Sequence, residues 1–182
     1  MVQRFETDQW VPFPLELVFA FFANPSNLPH LAPPRQKVRI EDLRLQPPPP
    51  RPVVADPARR FRSIAAGEGS EILISFRPVR WIPRVSWLAQ IIDFEWNSHF
   101  VDVQVRGPFK EFRHRHGVRA EVRDALEGTV ISDAIEYALP GGALARFGEG
   151  LVRAQMERAF AFRHKRLPEI LAAAARQAAQ RQ

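Results

Sequence analysis

The chain has 182 residues, 46% of them apolar, with no cysteine and a net charge of +6. That length suits one domain with a core that stands without staples, and the missing thiols exclude disulfides and thiolate metal sites. The arginines that dominate the positive charge are scattered among Asp and Glu, no run is apolar enough to span a bilayer, and the opening MVQRFETDQW lacks the basic-then-apolar order of a leader. The expectation is a cytoplasmic protein with a solvated basic surface, no nucleic-acid partner and no stable membrane insertion.

Arg4 to Val11 alternates, with Phe5, Thr7, Gln9 and Val11 on one face, and predicts a first strand. Pro12 and Pro14 end it, and LELVFAFFAN follows with Leu15, Val18, Phe19 and Phe22 at helical spacing. Asn24-Pro25 stops that helix, and Ser26 is placed to cap a second short one through Leu31. Gln36 to Leu45 returns to strand alternation with a bulge or a twist expected near Asp42, where the apolar phase changes. The stretch 46–62, QPPPPRPVVADPARRFR, has no periodicity and predicts a proline-rich surface loop. Strands are predicted over Ser70–Phe76 and Val85–Trp96, the latter with apolar residues on both faces.

From His99 to Tyr137 the pattern gives three consecutive strands. In the first, Phe100, Asp102, Gln104 and Arg106 oppose Val101, Val103 and Val105. In the second, Phe112, His114, His116 and Val118 oppose Arg113, Arg115 and Arg119, a face that charge density assigns to solvent. Turns are expected at Gly107-Pro108 and over Asp124–Gly128. After Pro140-Gly141-Gly142 comes a long amphipathic helix carrying Phe147, Leu151, Met156, Phe160, Leu167 and Leu171. Pro168 should kink or divide it, and 172–182 has little to bury and is expected to fray.

A strand, two short helices, a run of antiparallel strands and one long helix predict an α+β chain, residues 1–182 forming a single domain. A curved antiparallel sheet needs its apolar concave face covered, and only the C-terminal helix is long enough to do it. FxDxQxxGPFxxFxHxH at Phe100–His116, GTxxxDxxEYxxP at Gly128–Pro140 and AFxxRxxxLP at Ala159–Pro168 resemble the SRPBCC superfamily. The resemblance implies the helix-grip fold, with a cavity between sheet and helix. It also implies a choice between carriage of hydrophobic compounds, as in START lipid-transfer domains, and chemistry on them, as in polyketide cyclases.

Candidate site residues lie on the inward faces. A Gly107–Glu111 turn sets Asp102 opposite His116 and Gln104 opposite His114; an Ala125–Gly128 loop sets His116 opposite Tyr137, with Asp133 further along. The polar groups either satisfy one another as a partly buried network or orient the polar end of a hydrophobic or aromatic ligand, such as a lipid. In the second case Phe100, Phe112, Val118, Phe147, Leu151 and Phe160 pack the ligand's body. The cyclase relatives imply a third role, with His114 or His116 beside Asp102 as general base for an aldol cyclisation or dehydration. HxH at 114–116 with Asp102 is a weak metal pattern, so no metal and no cofactor is expected. Oligomerisation through the sheet edge or the helix stays open.

Overall fold

Seven strands pair into one antiparallel, curved sheet in a computed structural model that describes residues 1–53, 63–79, 82–141 and 146–179, the last segment without the side chains of Arg146, Phe147, Ala178 and Ala179. The strands are β1 (Gln3–Val11), β2 (Arg39–Arg44), β3 (Glu71–Phe76), β4 (Val85–Glu95), β5 (His99–Arg106), β6 (Glu111–Arg123) and β7 (Leu126–Ala138). Their order across the sheet is β1-β7-β6-β5-β4-β3-β2. The first strand thus pairs with the last, and the rest follow as a meander. Helices α1 (Leu15–Phe22) and α2 (Leu28–Leu31) follow β1, and α3 (Arg146–Ala179) closes the chain against the concave face.

α1 buries Val18 and Phe19, and the turn after it is capped by Asn24, whose side chain accepts from the Ser26 amide at 3.1 Å. The cap is therefore Asn24 rather than Ser26; the proline after Asn24 forces an extended backbone there, which points its carboxamide at the next free amide. Besides a register shift between Leu88 and Ala89 of β4, two bulges set the phase of the sheet. The one between Ile40 and Asp42 accounts for the shift in β2. The other, between Ile91 and Asp93, turns Phe94 onto the same buried face as Ile91 and leaves Ile92 partly exposed. This is why β4 shows apolar residues on both of its alternating sets.

α3 is one continuous helix through Pro168, and it extends to Ala179 across most of the segment expected to fray. Proline at 168 has no amide to give to the carbonyl of His164, and that carbonyl instead accepts from Gln9 Nε2 of β1 at 2.7 Å. The buried stripe runs Val152, Met156, Phe160, Arg163, Leu167, Leu171, with Leu167 and Leu171 fully enclosed. Of the proline-rich segment, 54–62 lies outside the described residues. Its first part is tied to the domain, Pro49 O accepting from Trp96 Nε1 at 2.7 Å.

The β6–β7 hairpin turns on two residues only, since Arg123 pairs with Leu126. Asp124 and Ala125 both have positive φ, 49° and 62°, the pattern of a type I′ turn. Alanine is strained there, because its Cβ meets the following carbonyl. Ala125→Gly should therefore raise stability by about 0.5–1 kcal/mol, read as a higher urea midpoint with an unchanged slope. A lower midpoint would mean that the turn does not hold this geometry.

Candidate functional site

Register brings the polar groups together. The tight β6–β7 turn places His116 opposite Asp133, and Phe112 opposite Tyr137. On the other side, β5 sets Asp102 opposite His114 and Phe100 opposite His116. Both registers differ from those expected, and in each case the slide preserves every residue's face while changing its neighbours. Asp133 thereby moves from the periphery to the centre, and Tyr137 moves away from the histidines into a cluster with Phe5 and Ile135. Gln104 is also displaced from the site. Its Nε2 donates to Phe109 O at 2.8 Å and its Oε1 accepts from Phe109 N at 3.1 Å, closing the β5–β6 turn.

Asp133 is 1% exposed and is the hub of the array. Its Oδ1 accepts from His114 Nε2 at 2.9 Å and from Arg163 Nη1 at 3.0 Å, while Arg163 Nη2 donates to Oδ2. Arg163 is 7% exposed, and its guanidinium lies 4.4 Å from the ring centre of Phe160 and 5.5 Å from that of Phe22. His116 Nε2 bonds Asp102 Oδ1 at 3.1 Å, and its Nδ1 faces Asp133 Oδ1 at 3.2 Å. The His116 ring stacks on Phe100 with centres 4.3 Å apart and meets His114 at 3.7 Å.

The two histidines titrate in opposite directions. Burial lowers His114, and the neighbouring His116 charge lowers it further, outweighing the bond to Asp133. Burial would lower His116 too, but its contacts with Asp102 and Asp133 prevail and raise it. For Asp133, burial would favour the neutral acid; the Arg163 charge and the hydrogen bonds it receives overcome this and hold it well below the usual carboxylate range. His114 is therefore a neutral imidazole that donates through Nε2 and keeps Nδ1 as an acceptor, while His116 favours the imidazolium.

This array forms part of the wall of a cavity of about 280 Å³. Phe100, Asp102, Phe112, His114, His116 and Phe160 line it, as do residues the sequence reading had not singled out, among them Phe22, Trp87, Ala89 and Arg163. Val118 and Tyr137 pack in the core behind, and Asp133 sits beneath the lining. Leu151 is 58% exposed. It lies one residue off the Val152–Met156–Phe160 stripe, a 100° turn that points it to solvent. Phe147's side chain lies outside those described. Arg163 did leave a signal: it is i+3 from Phe160 and i−4 from Leu167, so it falls on the apolar stripe, where a guanidinium requires a buried partner.

Ligand-type atoms of Asp102, His114 and His116 lie within 4.8 Å of one another. Both nitrogens of His116 already face carboxylates, and the Arg163 charge lies against Asp133. A divalent ion at these atoms would displace the imidazolium proton and meet that guanidinium, so the donor set fits internal pairing better than a metal. Among the described residues, no helix is long and apolar enough to cross a membrane.

No protein-family model and no curated protein matches the sequence. Solved structures do. The chain is similar to the Zhui aromatase/cyclase from Streptomyces sp. R1128, with a TM-score of 0.63 and 14% identity over 97% of this chain and 96% of that one. It is also similar to norcoclaurine synthase from Thalictrum flavum in complex with dopamine and hydroxybenzaldehyde, with a TM-score of 0.57 and 14% identity over 92% and 86% of the two chains. A third, Ara h 8.0201, gives a TM-score of 0.56 and 12% identity over 95% and 99%. At such identities the architecture is what is shared. Its strand order, the short helices after β1 and the long closing helix give the chain the helix-grip fold.

Proposed function

We propose that the protein binds a compact hydrophobic or aromatic small molecule between sheet and α3, with the ligand's polar end on the Asp102, His114, His116 array. The observation that carries this reading is the make-up of the cavity. Its wall is mostly apolar, built of Phe, Trp, Leu, Ile, Ala and Pro, and its charged and imidazole groups, Asp102, His114, His116 and Arg163, converge on one region, while Asn24, Asn27 and Gln36 line it from the segment after α1. Its volume of about 280 Å³ is near the small end for such sites, which favours a ring system over a long lipid chain. Norcoclaurine synthase, of the same fold, has a structure with two aromatic compounds bound.

Native mass spectrometry of the protein purified from its own host tests this reading. A discrete adduct with an aromatic or isoprenoid skeleton is expected. Ala89→Phe, which fills the cavity from β4, should remove the adduct and weaken binding at least about tenfold, because overpacking leaves no room for the body of the ligand. A clean apo mass, together with no quenching of Trp87 fluorescence by any bicyclic aromatic, would sink the proposal.

A second reading rests on one observation. Asp133 fixes the His114 tautomer and burial keeps the ring neutral, which is the arrangement of a general base oriented by a carboxylate. In that reading the protein is a cofactor-independent cyclase or dehydratase, and the carboxylate serving His114 is Asp133 rather than Asp102.

A further inference from the structure

We infer that the ligand's polar end is a neutral hydrogen-bond donor, a phenol, enol or alcohol hydroxyl, and not a carboxylate; this rests on the cavity-binding reading above and names the chemistry of that site. Donors and acceptors of the array are unequally placed for a ligand. Arg163 is the one guanidinium lining the cavity among the described residues, and each of its terminal nitrogens gives a hydrogen bond to Asp133, which pairs its charge. Its Nε is enclosed and reaches no partner. His116 turns Nε2 to Asp102, and its Nδ1 is enclosed beside Asp133. The charges of the basic groups are therefore already paired with Asp133 and Asp102, and an incoming anion would compete with those carboxylates for them.

The acceptors are differently placed. Asp102 uses Oδ1 on His116, and its Oδ2 takes no hydrogen bond among the described residues; His114 gives Nε2–H to Asp133 and keeps Nδ1. Both residues line the cavity. A hydroxyl near them donates to one acceptor without adding charge. The array itself is balanced, Asp102 and Asp133 against Arg163 and the His116 imidazolium, so a buried ligand charge would have no counter-ion. A carboxylate would also face Asp102 directly. Fatty acids and aromatic acids are thereby disfavoured even though the apolar wall would accept their bodies.

The test uses three compounds with one ring system: β-naphthol, its methyl ether and β-naphthoate, titrated by calorimetry at pH 6.5, the ordinary imidazole value. β-Naphthol should bind at least about tenfold tighter than either of the others, the effect of losing a hydrogen bond to a charged acceptor or of burying an unpaired anion. Asp102→Asn removes the negative charge that faces the cavity and should narrow or reverse the naphthol-to-naphthoate ratio. Equal affinity for naphthol and its ether, or tighter naphthoate, overturns the inference while leaving the cavity reading standing. No binding of any of the three, or of naphthalene, overturns both. The wild-type comparison does not depend on the variant's folding.

Discussion

Asp133→Ala is expected to cost about 3–5 kcal/mol of folding stability, the penalty for breaking a buried ion pair from one side. The truncation leaves the Arg163 guanidinium enclosed between Phe22 and Phe160 with no counter-charge, and removes the acceptor that fixes His114. Arg163→Met alone should cost a similar amount, because it strands the Asp133 carboxylate. The pair Asp133→Leu with Arg163→Met should recover most of the loss, since a well-packed apolar pair of similar volume can replace a buried salt bridge. Urea denaturation of the three variants reads this directly. A cost below about 1 kcal/mol for Asp133→Ala would be the value of a solvated pair, and would contradict the burial on which the whole site depends.

The same array makes stability depend on pH in opposing senses. Asp133 is held below the ordinary carboxylate value of 3.8, so its contribution is fully present above that pH and is lost as pH falls through its lower folded value. His116 is raised above 6.5, so its contribution is present below 6.5 and fades as pH rises through the folded value. His114, lowered by burial, acts against His116: the unfolded chain takes up its proton first, and stability is lost as pH drops below 6.5.

Much of this molecule was legible in its residues. Period-two alternation in β5 and β6 put Phe100, Asp102, Phe112, His114 and His116 on the side that lines the cavity, and the long apolar stripe of α3 identified an element able to cover the sheet. Neighbours across strands were not legible, because they depend on turn geometry. The β6–β7 turn puts alanine where a type I′ turn favours glycine, so its two-residue loop carries no sequence signature and a longer loop through Gly128 looked natural. That displaced Asp133 from His116. At the β5–β6 turn, Gln104 looked like a site residue because its place on the strand is inward; only its bonds to the Phe109 backbone show that it closes the loop. Arg163 stood within a motif of the closing helix, but its partner is thirty residues away in sequence and across the core, which no local pattern reveals.

If the neutral imidazole acts on what the cavity holds, His114→Gln should lower the rate of proton abstraction by about 10²–10⁴ while leaving binding of the same compound within about tenfold. β-Tetralone suits the measurement, being a bicyclic ketone with acidic α-protons, and solvent deuterium exchange followed by NMR reads the step that opens any aldol cyclisation. His114 Nδ1 would take the α-proton, with the electron pair moving into the carbonyl to give an enolate, and reprotonation by deuterated solvent would return the ketone. The geometry assigns the role to His114 over His116, whose nitrogens both face carboxylates and which favours the charged form. Because burial lowers His114, exchange should hold steady down through pH 6.5 and fall only below it, where the ring gains its proton. Asp133→Asn should shift that limb, since it removes the carboxylate that fixes the tautomer. Wild-type protein that exchanges β-tetralone no faster than buffer would remove the enzymatic reading and leave the carrier; loss of exchange in His116→Gln but not in His114→Gln would move the base to the other ring.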